Sequence, residues 1–298
     1  MVVSLWMTYP HKKDILQSIN LTADKGRKEM QIIRFKGKDK TVHTGYDFNG
    51  KTAALISGNP FDAPTMTPER VEVKELLAPI LPPAIFCIGL NYRSHAEETG
   101  MALPKYPVVF MKNPASITGH NSKIIIPGCC TDPPEVDYEG ELAVVIGKAT
   151  KDVAPDKALS HVFGYTCAND VSARQWQKQR GGGQWIRGKS FDTFCPLGPV
   201  LVTKDEIGSP QELSMECRLN GEVMQKSSTS DMIFTIAEII SFLSQGTTLL
   251  PGTIILTGTP SGVGFTRTPP VFLKPDDILE TTITKIGTLM NQVMAEEQ

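Results

Sequence analysis

No stretch of this 298-residue chain is long and apolar enough for a membrane-spanning helix. The longest apolar runs, residues 142–147, 123–127 and 253–256, fall far short of the roughly 18–20 residues a span requires. Neither sign of charge dominates. Thirty Lys+Arg against 32 Asp+Glu leave a net charge of −2, which argues against a nucleic-acid groove or an acidic membrane surface as partner. The six cysteines (Cys87, Cys129, Cys130, Cys167, Cys195 and Cys217) contain no Cys-x-x-Cys pair. A zinc ribbon or dithiol redox motif is therefore unsupported, and the expected state is free thiols in a reducing compartment. There is no internal repeat and no low-complexity tract. The N-terminal residues lack the apolar core of a signal peptide, and Asp14, Asp24 and Glu29 interrupt the basic character of an organellar leader. The expected location is the cytoplasm, with a mitochondrial address left open. What is present is ordinary for a folded protein: 40% hydrophobic and 21% charged residues, too apolar and too balanced for global disorder.

Three textures divide the chain. Residues 1–29 are polar and weakly periodic and read as an N-terminal extension. Residues 30–79 read as a small β-rich domain, with Phe48-Asn49-Gly50 as its hairpin signal. The Pro-rich connector at 77–83 precedes the remainder, residues 80–298, where short β-branched runs are bounded by Gly and Pro. AIFCIGL, PVVFMK, KIIIPG, ELAVVIG, FGYTCAND, LGPVLVT, SMECRLNGEV, GTIILTG and LETTITKIG all have strand length. One helix is expected after Asp231 as its cap, with Ile233, Ile236, Ile239, Ile240 and Leu243 as its apolar stripe and Gly246 as its stop. Residues 151–159 are a second, weaker candidate. Fold class is thus mixed and β-dominated, with few helices.

Four segments carry chemistry. In DYEGELAVVIG (137–147), alternation puts Glu139 and Glu141 on one face of a strand that is otherwise apolar on both. Two buried carboxylates side by side repel and are desolvated, so a hard divalent cation fits them; a solvated strand end fits the spacing equally well. Asp170 follows the run GYTCAN. Alone it reads as a helix cap; with the two glutamates it completes a three-carboxylate site with open positions for water and substrate oxygens. In NYRSHAEETG (91–100), Ser94 and Glu97 fit a capping box. His95 and Glu98 then share a helix face, the arrangement of a carboxylate-oriented base or simply of a surface pair. QRGGGQWIRGKSFDTFCPLGP (179–199) combines three glycines with Arg187 and Lys189, a cation suited to steadying an enolate. Its GxxxxGKS order is an accidental echo of a phosphate loop, because Trp185-Ile186 sits inside and no strand directly precedes the glycines. LTGTPSGVG (256–264) is a turn-rich segment whose Thr259 and backbone N–H groups suit a carboxylate, or no ligand at all.

Together with IGTLMNQV, these segments fall in an order that resembles the fumarylacetoacetate hydrolase family over roughly residues 80–293. The tail GVGFTRTPPVFLKPDDILE is similar to the eukaryotic group that includes oxaloacetate tautomerases. The resemblance implies a β-roll fold and a homodimer. It implies Mg²⁺ or Mn²⁺ held by Glu139, Glu141 and Asp170, with His95, Glu98 and Lys189 as catalytic residues. Arg174, Gln177 and Thr259 are the implied substrate contacts. The implied substrate is a small 2-oxo acid processed through an enolate beside the metal. Keto–enol tautomerisation of oxaloacetate comes first. Hydrolysis of an acylpyruvate C–C bond, decarboxylation of oxaloacetate and a non-catalytic metal-stabilised binding role are the alternatives.

Overall fold

The short β-branched runs become strands. In the computed structural model, which describes residues 30–297, nineteen strands accompany six α-helices of only four to nine residues. The β-dominated mixed fold expected from the sequence is borne out. The extension expected over 1–29 lies outside the described residues.

The larger sheet runs, strand by strand, through Thr65–Glu72, Thr52–Ser57, Val42–Tyr46, Gln31–Lys36, Cys195–Thr203, Val162–Asn169, Gly140–Ile146, Ile254–Leu256, Ile85–Gly89 and Val108–Lys112. Phe48-Asn49-Gly50 does lie in a hairpin, between Val42–Tyr46 and Thr52–Ser57, which pair antiparallel. Every residue of Gly140–Ile146 is buried, which is why it reads as an unbroken apolar run rather than an alternating one. This strand pairs antiparallel with Val162–Asn169 on one side and Ile254–Leu256 on the other. Ile254–Leu256 in turn runs parallel to Ile85–Gly89. The N-terminal end of Gly140–Ile146 therefore lies at the same edge as the C-terminal ends of these three strands. The chain leaves those ends through Asp170, through Gly258 and toward His95.

A second sheet of five strands, Glu222–Ser228, Ser214–Leu219, Ile278–Ile283, Gly287–Ala295 and Lys123–Ile126, packs on the first. Met215, Ile283 and Leu289 join Cys167, Val200 and Val202 in one core. All six cysteines are free.

Two helix expectations need correction at their ends. The main helix spans Ile236–Ser244, not the longer segment from Asp231. Thr235 is its cap, in a reciprocal capping box with Glu238. Asp231 instead accepts hydrogen bonds from the Ser94 amide at 3.1 Å and hydroxyl at 2.6 Å. That contact explains the second correction. The helix Arg93–Thr99 forms as expected, but Tyr92 stands at its cap with no side-chain bond, because the Ser94 hydroxyl is committed to Asp231. The weaker candidate at 151–159 contains the short helix Pro155–Ala158.

Candidate active site

Glu139 precedes the buried strand, and Glu141 is its second residue. Asp170 follows Val162–Asn169, whose Asn169 pairs with Gly140, and its own amide donates to the Glu139 carbonyl at 2.8 Å. Asp170 is therefore not a helix cap. The helix Arg174–Lys178 starts four residues later, from Ala173. Glu139, Glu141 and Asp170 are all buried, and each offers an oxygen within 4.8 Å of the other two.

Three buried cations surround this cluster. Lys189 donates to Glu139 at 2.8 Å and to Asp170 at 2.7 Å. Arg174 donates through Nη1 to Glu139 at 2.6 Å and through Nε to Asp137 at 2.8 Å. Its Nη2 lies 2.7 Å from the same Asp137 oxygen but makes no hydrogen bond there, so that contact is ionic only. Lys112, the last residue of the edge strand, donates to Asp170 and to the Val171 carbonyl.

These neighbours split the glutamates. Burial disfavours the ionised form of both, but the Lys189 and Arg174 charges pull Glu139 down to about 2. Among the described residues, Glu141 has no such partner. Burial first, then the Asp170 and Glu139 charges, push its carboxyl well above the ordinary range. Its one hydrogen bond is from the Gly258 amide, at 2.7 Å. Gly258 itself has a φ of 97°, and a Cβ there would stand 2.7 Å from that of Asn91, so the turn that supplies this amide requires glycine. A buried carboxylate without a cation, between two others, is the donor set a hard dication completes.

His95 and Glu98 meet on the helix Arg93–Thr99, with Nδ1 and Oε2 2.8 Å apart. The second Glu98 oxygen accepts from the Gly262 amide at 2.8 Å and the Thr266 hydroxyl at 2.9 Å. Burial raises the Glu98 pKa, but these hydrogen bonds outweigh it and leave the carboxyl below its ordinary value. An ionised Glu98 only accepts, so Nδ1 of His95 is the donor of this pair.

The cavity between these groups has a volume of about 450 Å³. His95, Glu98, Glu139, Glu141, Arg174, Gln177, Lys189 and Thr259 all line it, so eight of the nine expected site residues face one space. The ninth, Asp170, lies just behind Lys189. Thr259 sits there with its hydroxyl proton donated to the Gly140 carbonyl and its oxygen receiving Gln225. It braces the turn and has no proton left for a substrate. The apolar lining includes Phe110 and Trp185, whose rings meet edge to face at 5.3 Å.

Sequence reasoning missed two residues of this site. Asp137 lies two positions before Glu139, and the same alternation that paired the glutamates carried a signal for it. It accepts from the Tyr138, Gly264 and Phe265 amides as well as from Arg174. Lys112 gave no signal, since a lysine closing an apolar run ordinarily marks a strand reaching water.

A fold of this kind, with three converging carboxylates, a His–Glu pair and a buried lysine around one cavity, offers the donor set for a hard dication beside a general base, the frame of an enzyme site. Residues 84–294 match the family model of the fumarylacetoacetate (FAA) hydrolase C-terminal domain, and the chain belongs to the fumarylacetoacetate hydrolase family, whose enzymes are metal-dependent. It is 50% identical to cattle (Bos taurus) oxaloacetate tautomerase FAHD2B, mitochondrial, over 295 residues, covering 90% of this chain and 92% of that one. Its identity to cattle FAHD2A, also named a mitochondrial oxaloacetate tautomerase, is 50% over 225 residues, 76% of this chain and 71% of that one. Among solved structures, a 5-carboxymethyl-2-hydroxymuconate delta-isomerase from Mycobacterium smegmatis superimposes with a TM-score of 0.78 at 38% identity, over 90% of this chain and all of the other.

Proposed function

We propose that this protein is a divalent-metal-dependent enzyme that interconverts the keto and enol forms of oxaloacetate. The observation that carries the reading is Glu141, a buried carboxylate with no cation of its own among the described residues, set between two carboxylates that have them. The names of the curated relatives support the substrate. Glu139, Glu141 and Asp170 would hold the ion, Mg²⁺ or Mn²⁺, and the bound ion supplies Lewis-acid polarisation of the 2-keto group.

The remaining steps belong to the chain. His95, oriented by Glu98 at 2.8 Å, removes a proton from the carbon next to the keto group through Nε2. Two of the three Lys189 protons are used on Glu139 and Asp170. The third points its charge at the developing oxyanion. The His95 imidazolium returns that proton to the oxygen, which yields the enol and regenerates the base, and the reverse sequence restores the keto acid. Gln177 accepts from Arg174 at 3.0 Å through its carbonyl, which leaves its amide protons for the substrate.

The His95–Glu98 pair equally suits activation of a water, which keeps hydrolysis of acylpyruvates as the second reading. One assay decides: with Mg²⁺, the ultraviolet loss of enol-oxaloacetate, pyruvate release from acylpyruvates and CO₂ release from oxaloacetate are compared. The tautomerase reading requires the first to have the highest kcat/KM; a higher value for pyruvate release replaces it with the hydrolase. The relatives' names support the mitochondrial of the two addresses, which imaging of a fluorescent C-terminal fusion checks. The homodimer expected from the family is read by light scattering.

A further inference from the structure

A dicarboxylic substrate brings a second negative charge, and the cavity must meet it with a cation. Four basic side chains line that cavity: His95, Arg174, Lys178 and Lys189. Three of them are already ion-paired to carboxylates. His95 is bound to Glu98, Lys189 lies between Glu139 and Asp170, and Arg174 lies between Asp137 and Glu139. Lys178 has no carboxylate within 4.0 Å among the described residues. Its ammonium instead stands 3.9 Å from the centre of the Phe265 ring, beside Arg174, whose guanidinium lies 4.4 Å from the same centre. A cation resting on an aromatic face is already confined and partly stripped of water, yet keeps its donors for an incoming anion. Lys178 also directly follows Gln177, the residue whose amide protons have no protein acceptor.

We propose that the end of the cavity where Lys178 stands over Phe265 receives the second carboxylate of a dicarboxylic 2-oxo acid, so that Lys178 sets the preference for dicarboxylic over monocarboxylic substrates. The proposal rests on the tautomerase reading and adds to it the residue that selects for the second carboxylate. Phe265 is the platform, held in place by the hydrogen bond its backbone amide donates to Asp137 at 3.0 Å.

The test compares ketonisation of enol-oxaloacetate with that of enol-phenylpyruvate, a monocarboxylic 2-oxo acid, by the wild-type protein with Mg²⁺ and by Lys178→Met and Lys178→Arg. The ratio of kcat/KM for oxaloacetate to that for phenylpyruvate should fall about 10- to 100-fold in Lys178→Met, the range of one charge-assisted hydrogen bond. The fall should appear mainly in KM for oxaloacetate, and Lys178→Arg should restore most of it. An unchanged ratio in Lys178→Met, with the wild type active, overturns this inference and leaves the tautomerase reading standing. A wild-type protein that ketonises neither substrate overturns both.

Discussion

Replacing Glu141 with glutamine distinguishes a metal ligand from a structural carboxylate. Glutamine keeps an acceptor for the Gly258 amide, which lies 2.7 Å from Glu141, and removes only the charge. Two unit charges 4.8 Å apart, the outer limit for oxygens of the cluster, repel by about 3.5 kcal/mol at an effective dielectric constant of about 20. Lys112, Lys189 and Arg174 offset most of this for Glu139 and Asp170, so the relief expected from removing the third charge is on the order of 1 kcal/mol. Because the folded pKa of Glu141 is raised, its contribution to metal-free stability is complete below the unfolded value of 4.5 and is lost as pH rises. The comparison is therefore made near pH 8. There the metal-free variant should melt at or above the wild type, by roughly 2–4 °C. Metal at a hundred times its Kd should add about 2.7 kcal/mol to the wild type, or roughly 5–10 °C. That increment should nearly vanish in the variant, and turnover with it. The assay is thermal unfolding with excess EDTA and with excess Mg²⁺. A variant that melts several degrees lower without metal, yet gains the full increment with it, would show that Glu141 serves the turn at Gly258 and not a cation.

Lys112→Met leaves one oxygen of Asp170 and the Val171 carbonyl without their donor. Removing one partner of a buried ion pair costs about 3–5 kcal/mol, so the urea midpoint of the metal-free protein should fall accordingly; a loss below about 1 kcal/mol would mean that the pair is not holding the carboxylate. His120 offers a pH test away from the site. Burial lowers its pKa from 6.5 to about 4, and its Nδ1 accepts from the Met290 amide at 3.2 Å. It is thus neutral in the fold, and its stability contribution is complete above 6.5 and lost as pH falls toward 4, by about 3 kcal/mol in all. His120→Asn should flatten the stability curve between those values, and an unaltered slope there would refute the assignment.

Much of this was legible in the sequence, for identifiable reasons. The central strands showed themselves because the runs that form them are covered on both faces and are apolar almost throughout, as in LAVVI. The carboxylates showed themselves because polar groups inside such runs are costly and demand an explanation. Helix ends were less legible. Asp231 and Ser94 both read as caps, and each lies near a helix start, but the two satisfy one another across 137 residues of chain, a pairing no local rule detects. Lys112 was hidden for the opposite reason. Its position is ordinary for an exposed strand end, and only the fold brings Asp170 to it.

The segment at 258–266 has a consequence beyond the contacts it makes. Its amide at 258 steadies Glu141, its amide at 262 and hydroxyl at 266 seize Glu98, and its amides at 264 and 265 fix the aspartate behind Arg174. Occupancy of the carboxylates and docking of the helix that carries the base are thereby written into the same nine residues. Such linkage is symmetric: any preference of a bound ion for this arrangement of the turn equals the preference of the arranged turn for the ion. A substitution anywhere in this turn is then felt at the ion and at the base together.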